Sequence, residues 1–183
     1  MAGAPTGSIL LEPASLYVTT TQLSEAKFHW ALIETDSTAS GAIRHHWHER
    51  PNTRTGLAEG YGCQRIQPKS LTGRVVLGYF KIRGYTAPLP ETFTDICAST
   101  FPSSYPTVPE NRKNGITCRT WVFQVLSTLC ARGYITGYQG TIRHFLECLE
   151  RTITEQSRMA DNSYLTTFYH QRILTFVSRV MVV

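Results

Sequence analysis

The order of the predicted elements constrains the fold of this chain more than any other feature, because strand-like segments fill its first half and helix-like segments its second. Four segments combine β-branched and aromatic residues with alternating polarity: 15–22, 28–35, 42–49 and 73–85. Four later segments have helical periodicity: 91–101 after Pro90, 117–133, 141–159 and 162–183. Strands followed by helices predict an α+β fold, an antiparallel sheet packed by helices, rather than a doubly wound parallel sheet.

The segment FHWALIET (28–35) is predicted to be an inner strand of this sheet. It carries apolar residues on both faces, which is typical of a strand buried between two layers. The turn cluster DSTASG (36–41) separates it from AIRHHWHE (42–49), so a hairpin is predicted over 28–49. The last twenty residues are left open: they could form a helix that packs or a strand that pairs with a second subunit in a homodimer.

Size and charge exclude some classes of protein. With 183 residues, the chain is long enough to bury one core, so a single domain over 1–183 is predicted. Its 18 lysine and arginine residues are scattered rather than gathered in a stripe, which disfavours a nucleic-acid partner. No apolar stretch reaches the roughly 20 residues of a membrane helix, so no membrane partner is predicted either.

The cysteines and the first residues bear on the compartment. Five cysteines occur without a CxxC pair, and the start of the chain lacks the basic and apolar regions of a signal peptide. An odd number of cysteines without a signal predicts reduced thiols inside a cell. We therefore expect a cytoplasmic protein.

Two long segments, 51–72 and 102–114, read as irregular, and long loops in compact domains often carry function. Both are predicted to line a substrate cleft. Within the first, GLAEGYGCQ (56–64) has three glycines and reads as a flexible loop. Its Tyr61 and Gln64 are candidate contacts to a substrate or an oxyanion.

Cys118 is predicted to open a helix, in a position suited to a nucleophile. Thr117 is the expected N-cap, which makes Cys118 the first helical residue. Unpaired backbone N–H groups and the positive end of the helix dipole favour an anion there, and Arg119 adds a positive charge. The position predicts a lowered thiol pKa. Cys130 and Cys148, in contrast, lie within helices, where packing is the better interpretation.

Four histidines cluster on the predicted hairpin: His29, His45, His46 and His48. Strand alternation turns His46 and His48 to one face and His45 to the other, so one of the first two can approach His29. His144 and His170 are isolated on helices and are interpreted as structural.

The cluster allows three interpretations. In the first, His29 is a general base for Cys118, oriented by a second imidazole. In the second, His29, His46 and His48 bind zinc or iron, although only Glu49 and Cys63 could complete such a site. In the third, the cluster has no chemical role. A separate alternative for the whole chain is a binding or scaffold protein that captures or cyclises a small molecule by shape and acid/base groups, without covalent chemistry.

The strand HWALIE followed far downstream by a cysteine that opens a helix resembles the circularly permuted papain-like enzymes. This group includes the lecithin:retinol acyltransferases and their NlpC-type relatives. The resemblance implies a permuted papain-like fold, His29 as the base, His46 or His48 as the orienting residue and Cys118 as the nucleophile. Arg119 and Trp121, next to that nucleophile, are candidate substrate contacts. The chain departs from the family pattern at Thr117, where the family carries asparagine.

That resemblance implies acyl transfer or hydrolysis of an amide or ester through a thioester. The substrate would be a small molecule or a peptide-like compound, and no cofactor is implied. The chain also resembles small fungal proteins encoded beside natural-product pathways, which implies a role in secondary metabolism.

Overall fold

The computed structural model describes residues 9–23, 27–50, 58–67, 75–171 and 179–183. It is a mixed sheet packed by helices, as the predicted α+β class requires. The strands are β1 (Leu16–Gln22), β2 (Phe28–Thr35), β3 (Ala42–Glu49), β4 (Glu59–Ile66), β5 (Val76–Lys81) and β6 (Arg179–Val182). The helices are α1 (Pro90–Ser99), α2 (Val108–Lys113), α3 (Cys118–Ala131) and α4 (Ile142–Gln171).

The six strands form one sheet in the order β4-β3-β2-β1-β5-β6. Neighbouring strands are antiparallel except for β6, which runs parallel to β5. The predicted hairpin over 28–49 is confirmed by the antiparallel pairing of β2 with β3. The sheet is therefore mixed rather than purely antiparallel, because the chain returns to it after the long helix α4.

The two faces of the sheet bury different sets of residues. Directly paired residues of antiparallel strands point to the same face, so the register assigns each side chain to a side. One face carries Trp30 and Leu32 of β2 and packs against α1, α3 and α4 in the main core. The other face carries Ile33 and joins a smaller cluster with Tyr17 and Tyr79. Both faces of β2 are buried, as its composition predicts.

Helix α3 begins and ends where its sequence predicts. The Thr117 hydroxyl accepts a hydrogen bond from the Thr120 backbone N–H, and the Thr120 hydroxyl accepts one from the Thr117 N–H. This reciprocal capping satisfies two groups that helix geometry leaves without partners. The helix stops at Gly133, whose φ of 77° suits glycine. Cys118 is thus the first residue of the helix.

Both segments predicted as irregular contain regular structure. The first, 51–72, contains strand β4 over its described part, and the second, 102–114, contains helix α2. Two glycines weaken the strand signal of β4, yet pairing with β3 along its whole length overrides local preference. Helix α2 is only six residues long, too short for a periodic signal to emerge.

The C-terminal part also differs from the prediction of two separate helices. Residues 142–171 form one continuous helix, because no glycine or proline interrupts them. The β-branched end, at 179–182, is a strand that pairs with β5 of the same chain. Residues 172–178 lie outside the described part. None of the described helices is both long enough and apolar enough to cross a membrane.

Candidate active site

A cleft of about 760 Å³ brings the predicted reactive residues together. Its wall includes His29 of β2, His46 and His48 of β3, and Cys118 of α3. These residues are separated by up to about ninety positions in the chain, and the sheet and α3 converge to place them around one space. The proximity of the cysteine and the histidine cluster is therefore a property of the folded chain.

The histidines form a connected row on the sheet face opposite the helices. The His29 Nε2 and His46 Nδ1 atoms are 3.0 Å apart and form a hydrogen bond. The His46 and His48 rings stack with their centroids 4.3 Å apart. Of the two histidines that could orient His29, His46 is the one that contacts it. Burial lowers the pKa of His46 to about 3, so its imidazole is neutral at physiological pH.

Gly62 leaves the space that this row occupies. It pairs with His46 across β3 and β4, and a Cβ atom added there would lie 2.5 Å from His48 Nε2. Any larger residue would displace the His48 ring. Gly62, one of the two glycines that weaken the strand signal of β4, is therefore required at this position for steric reasons.

Cys118 is anchored to the strand that carries His29. The backbone groups of Trp30 and Arg119 form hydrogen bonds with its thiol that favour the ionised form. Trp30 directly follows His29 in β2, so the sulfur contacts the residue next to the predicted base. Burial nevertheless raises the pKa of the Cys118 thiol above its usual value, contrary to the expectation from the helix position alone. The resting cysteine is therefore a neutral thiol.

The cleft extends from the histidine row to Cys118. The pairing of β2 with β3 runs from Leu32 and His45 to Thr35 and Ala42. His29 and His46 lie beyond that paired stretch. The cleft consequently reaches side chains of both sheet faces, with His29 on one side and Cys118 on the helix side.

An ion pair between the buried Glu59 and the partly exposed Arg112 borders the same cleft and was not predicted from the sequence. Both carboxylate oxygens of Glu59 accept hydrogen bonds from the Arg112 guanidinium, at 2.9 and 2.6 Å. Glu59 also accepts one from the Asn111 side chain at 2.9 Å. The only sequence signal was the small basic cluster NRKN (111–114), in a segment predicted to be irregular. Glu59 lies in a segment that was predicted to be a loop.

The remaining predicted substrate contacts lie in different places. Gln64 lines the cleft. Tyr61 points to the helix side, where its hydroxyl is 2.8 Å from His45 Nδ1. Trp121 is fully buried and its indole N–H donates to the Cys97 carbonyl, so it belongs to the core. The side chain of Arg119 is largely exposed and pairs with Glu150 at 3.4 Å.

His45 belongs to a separate polar network inside the main core. It contacts Tyr61, and its Nε2 atom is 3.9 Å from the Glu34 carboxylate, which accepts a hydrogen bond from the Tyr85 hydroxyl. His45 is only 1% exposed, and burial lowers its pKa to about 4. A neutral, buried imidazole of this kind links stability to pH.

We expect His45 to make the protein less stable as the pH falls. Its pKa rises to about 6.5 on unfolding, so the unfolded chain binds one more proton between pH 6.5 and about 4. The free energy of unfolding should therefore fall by about 2 kcal/mol between pH 7 and pH 5 from this residue, at about 1.4 kcal/mol per pH unit below pH 6.5.

Urea unfolding of the protein and of His45→Gln at both pH values measures this contribution. The stability advantage of the unmodified protein over the variant should shrink on acidification. Glu34, whose pKa burial raises, acts in the opposite direction but is present in both proteins. An advantage that stays constant with pH would contradict the assignment.

Within the described part of the chain, no group of three His, Cys, Asp or Glu residues is arranged to hold a metal ion. The three histidines of the row contact one another instead, by a hydrogen bond and a ring stack. His144 is exposed on α4, and its ring is 3.7 Å from the Cys148 sulfur. The side chain of His170 lies outside the described part.

Comparison with known proteins gives no match to a family model, a curated protein or a solved structure. The resemblance to the permuted papain-like enzymes therefore stays a prediction. The case for function rests on the residues and the geometry of the cleft.

Proposed function

We propose that this chain is a cysteine enzyme of the permuted papain-like type, which transfers or hydrolyses an acyl group through a thioester on Cys118. The observation that carries the proposal is the cleft itself: it joins a cysteine at a helix start to a hydrogen-bonded pair of histidines. Nucleophile, base and orienting group are the three parts that nucleophilic catalysis requires.

His29 is the general base in this proposal. Its Nε2 atom is hydrogen-bonded to His46, and its imidazole takes the proton from the Cys118 thiol. Because burial keeps the thiol neutral at rest, this transfer accompanies the attack of sulfur on the substrate carbonyl. His46, itself neutral, fixes the orientation of the His29 ring.

The remaining steps return the enzyme to its starting state. Attack forms a carbon–sulfur bond and a tetrahedral oxyanion, which the backbone N–H groups at the start of α3 stabilise. Protonated His29 gives its proton to the leaving amine or alcohol as the tetrahedral intermediate collapses to the thioester. Water, an amine or a hydroxyl then attacks that thioester, with His29 as base, and the thiol is restored.

The cleft supports a small-molecule or peptide-like substrate. Its volume of about 760 Å³ lies within the range of about 300–1,000 Å³ that is common for small-molecule sites. Polar residues such as Gln64 and Arg44 and apolar residues such as Ile66 and Val76 line it together. Such a wall suits a substrate with both an apolar part and hydrogen-bonding groups.

Acylation of the protein by p-nitrophenyl acetate tests the proposal. We expect one acetyl group, found by mass spectrometry on the peptide that contains Cys118, and a burst of nitrophenol equal to the protein concentration. The other cysteines are internal controls, and Cys63 is the most informative because it is exposed and also borders the cleft.

Cys118→Ser should abolish the burst, and Cys63→Ser and Cys148→Ser should retain it. If Cys63, the exposed cysteine, is acetylated faster than Cys118, the proposal is contradicted. That outcome would favour the non-covalent binding protein, in which Cys118 has a structural role.

A further inference from the structure

Arg112 is held in place by the most completely buried carboxylate that borders the cleft. The Glu59 side chain is 2% exposed, and it binds the guanidinium through both oxygens. The Glu59 backbone carbonyl accepts a hydrogen bond from the Ser104 hydroxyl at 2.8 Å. A bidentate pair of this kind fixes both the position and the plane of the guanidinium.

The same guanidinium holds the chain that leads into α3. The Arg112 Nη1 atom donates to the Ile116 carbonyl at 2.6 Å, two residues before Cys118. The Ile116 N–H in turn donates to the Asn111 carbonyl at 2.8 Å. The turn between α2 and α3 is thus tied to Glu59 of β4 through Arg112 and Asn111.

Arg112 also borders the cleft together with Cys118. The charged groups and imidazoles around the cysteine come from five elements: β2 (His29), β3 (Arg44, His46, His48 and Glu49), β4 (Glu59), α2 (Arg112) and α3 (Arg119). Arg112 favours the ionised thiol and Glu59 opposes it. Arg119 acts on the thiol through its backbone, while its side chain is turned to Glu150.

We propose that Arg112 is a positioning residue for Cys118: locked by Glu59, it fixes the chain before the cysteine and holds a positive charge towards its thiolate. The inference rests on the proposed function, since a thiolate forms there only if Cys118 reacts. It adds a residue to the site, because the resemblance to permuted papain-like enzymes implies no role for Arg112.

The test measures the thiol pKa of Cys118 from the pH dependence of its alkylation by iodoacetamide, followed on the Cys118 peptide by mass spectrometry. Arg112→Gln should raise that pKa by about one unit, which makes alkylation at pH 7 about tenfold slower. Arg112→Lys keeps the charge but loses the bidentate contact with Glu59, so its thiol pKa should lie between those of Arg112→Gln and the unmodified protein. Lys113→Gln, which removes a neighbouring exposed charge from the same helix, should leave the profile unchanged.

Glu59→Gln is expected to shift the thiol pKa of Cys118 in the opposite direction. Removal of the carboxylate leaves the Arg112 charge uncompensated, so the thiol pKa should fall and alkylation should become faster. A purely structural role for the pair would move both variants in the same direction, which would overturn the inference. The same pH dependence of Cys118 alkylation in Arg112→Gln and Lys113→Gln would overturn the inference as well. If Glu59→Gln does not fold by circular dichroism, the Arg112 and Lys113 variants still decide the question.

This inference and the proposed function can fail separately. If Cys118 is acetylated but its thiol pKa is the same in Arg112→Gln and in the unmodified protein, only the inference is overturned. If the thiol pKa of Cys118 rises in Arg112→Gln but Cys118 is not acetylated, only the proposed function is overturned.

Discussion

Replacement of His29 by alanine is expected to slow the acetylation of Cys118 by about 10²–10⁴-fold, the usual contribution of a general base. The neutral thiol needs a proton acceptor during attack, and His29 is the histidine next to Trp30, whose backbone contacts the sulfur. The measurement is the single-turnover rate of nitrophenol release at pH 7, on protein that retains its circular dichroism spectrum.

Two other histidines serve as controls for this variant. His144→Ala changes an exposed residue on α4 and should have no effect. His46→Ala should reduce the rate less than His29→Ala does, because His46 orients the base rather than accepting the proton. Equal rates for His29→Ala and His144→Ala would contradict the role of His29 as the base.

Replacement of Trp121 by alanine is expected to lower the free energy of unfolding by about 3–5 kcal/mol. Trp121 is fully buried between the sheet and α1, and its loss leaves a cavity and removes the hydrogen bond to the Cys97 carbonyl. A loss of this size is a large part of the typical stability of a domain, about 5–15 kcal/mol. Urea unfolding followed by circular dichroism measures it.

Phe123 is the matched control on the same helix. Its ring is only half-buried and packs against Trp30 with the ring centroids 5.7 Å apart, so Phe123→Ala should cause a smaller loss. If Trp121→Ala does not fold, Trp121→Phe should fold with an intermediate loss. A loss for Trp121→Ala no larger than that for Phe123→Ala would mean that Trp121 has no central role in the core.

Several local features could be predicted because nearby residues determine them. The alternation of β2 and β3 fixed which histidines share a face, and the contact of His29 with His46 confirms that assignment. The Thr117 cap and the Gly133 stop set the ends of α3 within a few residues of chain. Each of these signals involves residues only a few positions apart in the chain, so a sequence pattern can reveal it.

Other features arise only between distant segments. Strand β4 has weak strand propensity and forms because β3 offers a full ladder of partners. The raised pKa of Cys118 reverses the local expectation, because burial by the folded chain outweighs the favourable helix start. The ion pair of Glu59 with Arg112 joins residues 53 positions apart, one of which lay in a predicted loop.

The sequence by itself determined the α+β class, the hairpin and the position of Cys118 as the first residue of a helix. These depend on periodicity, turn residues and capping, which act between neighbours in the chain. The tertiary structure alone decided that Cys118 lies in one cleft with His29 and His46, and that Arg112 stands beside it. The charged groups and imidazoles at that cleft come from five separate elements, and only packing brings them together.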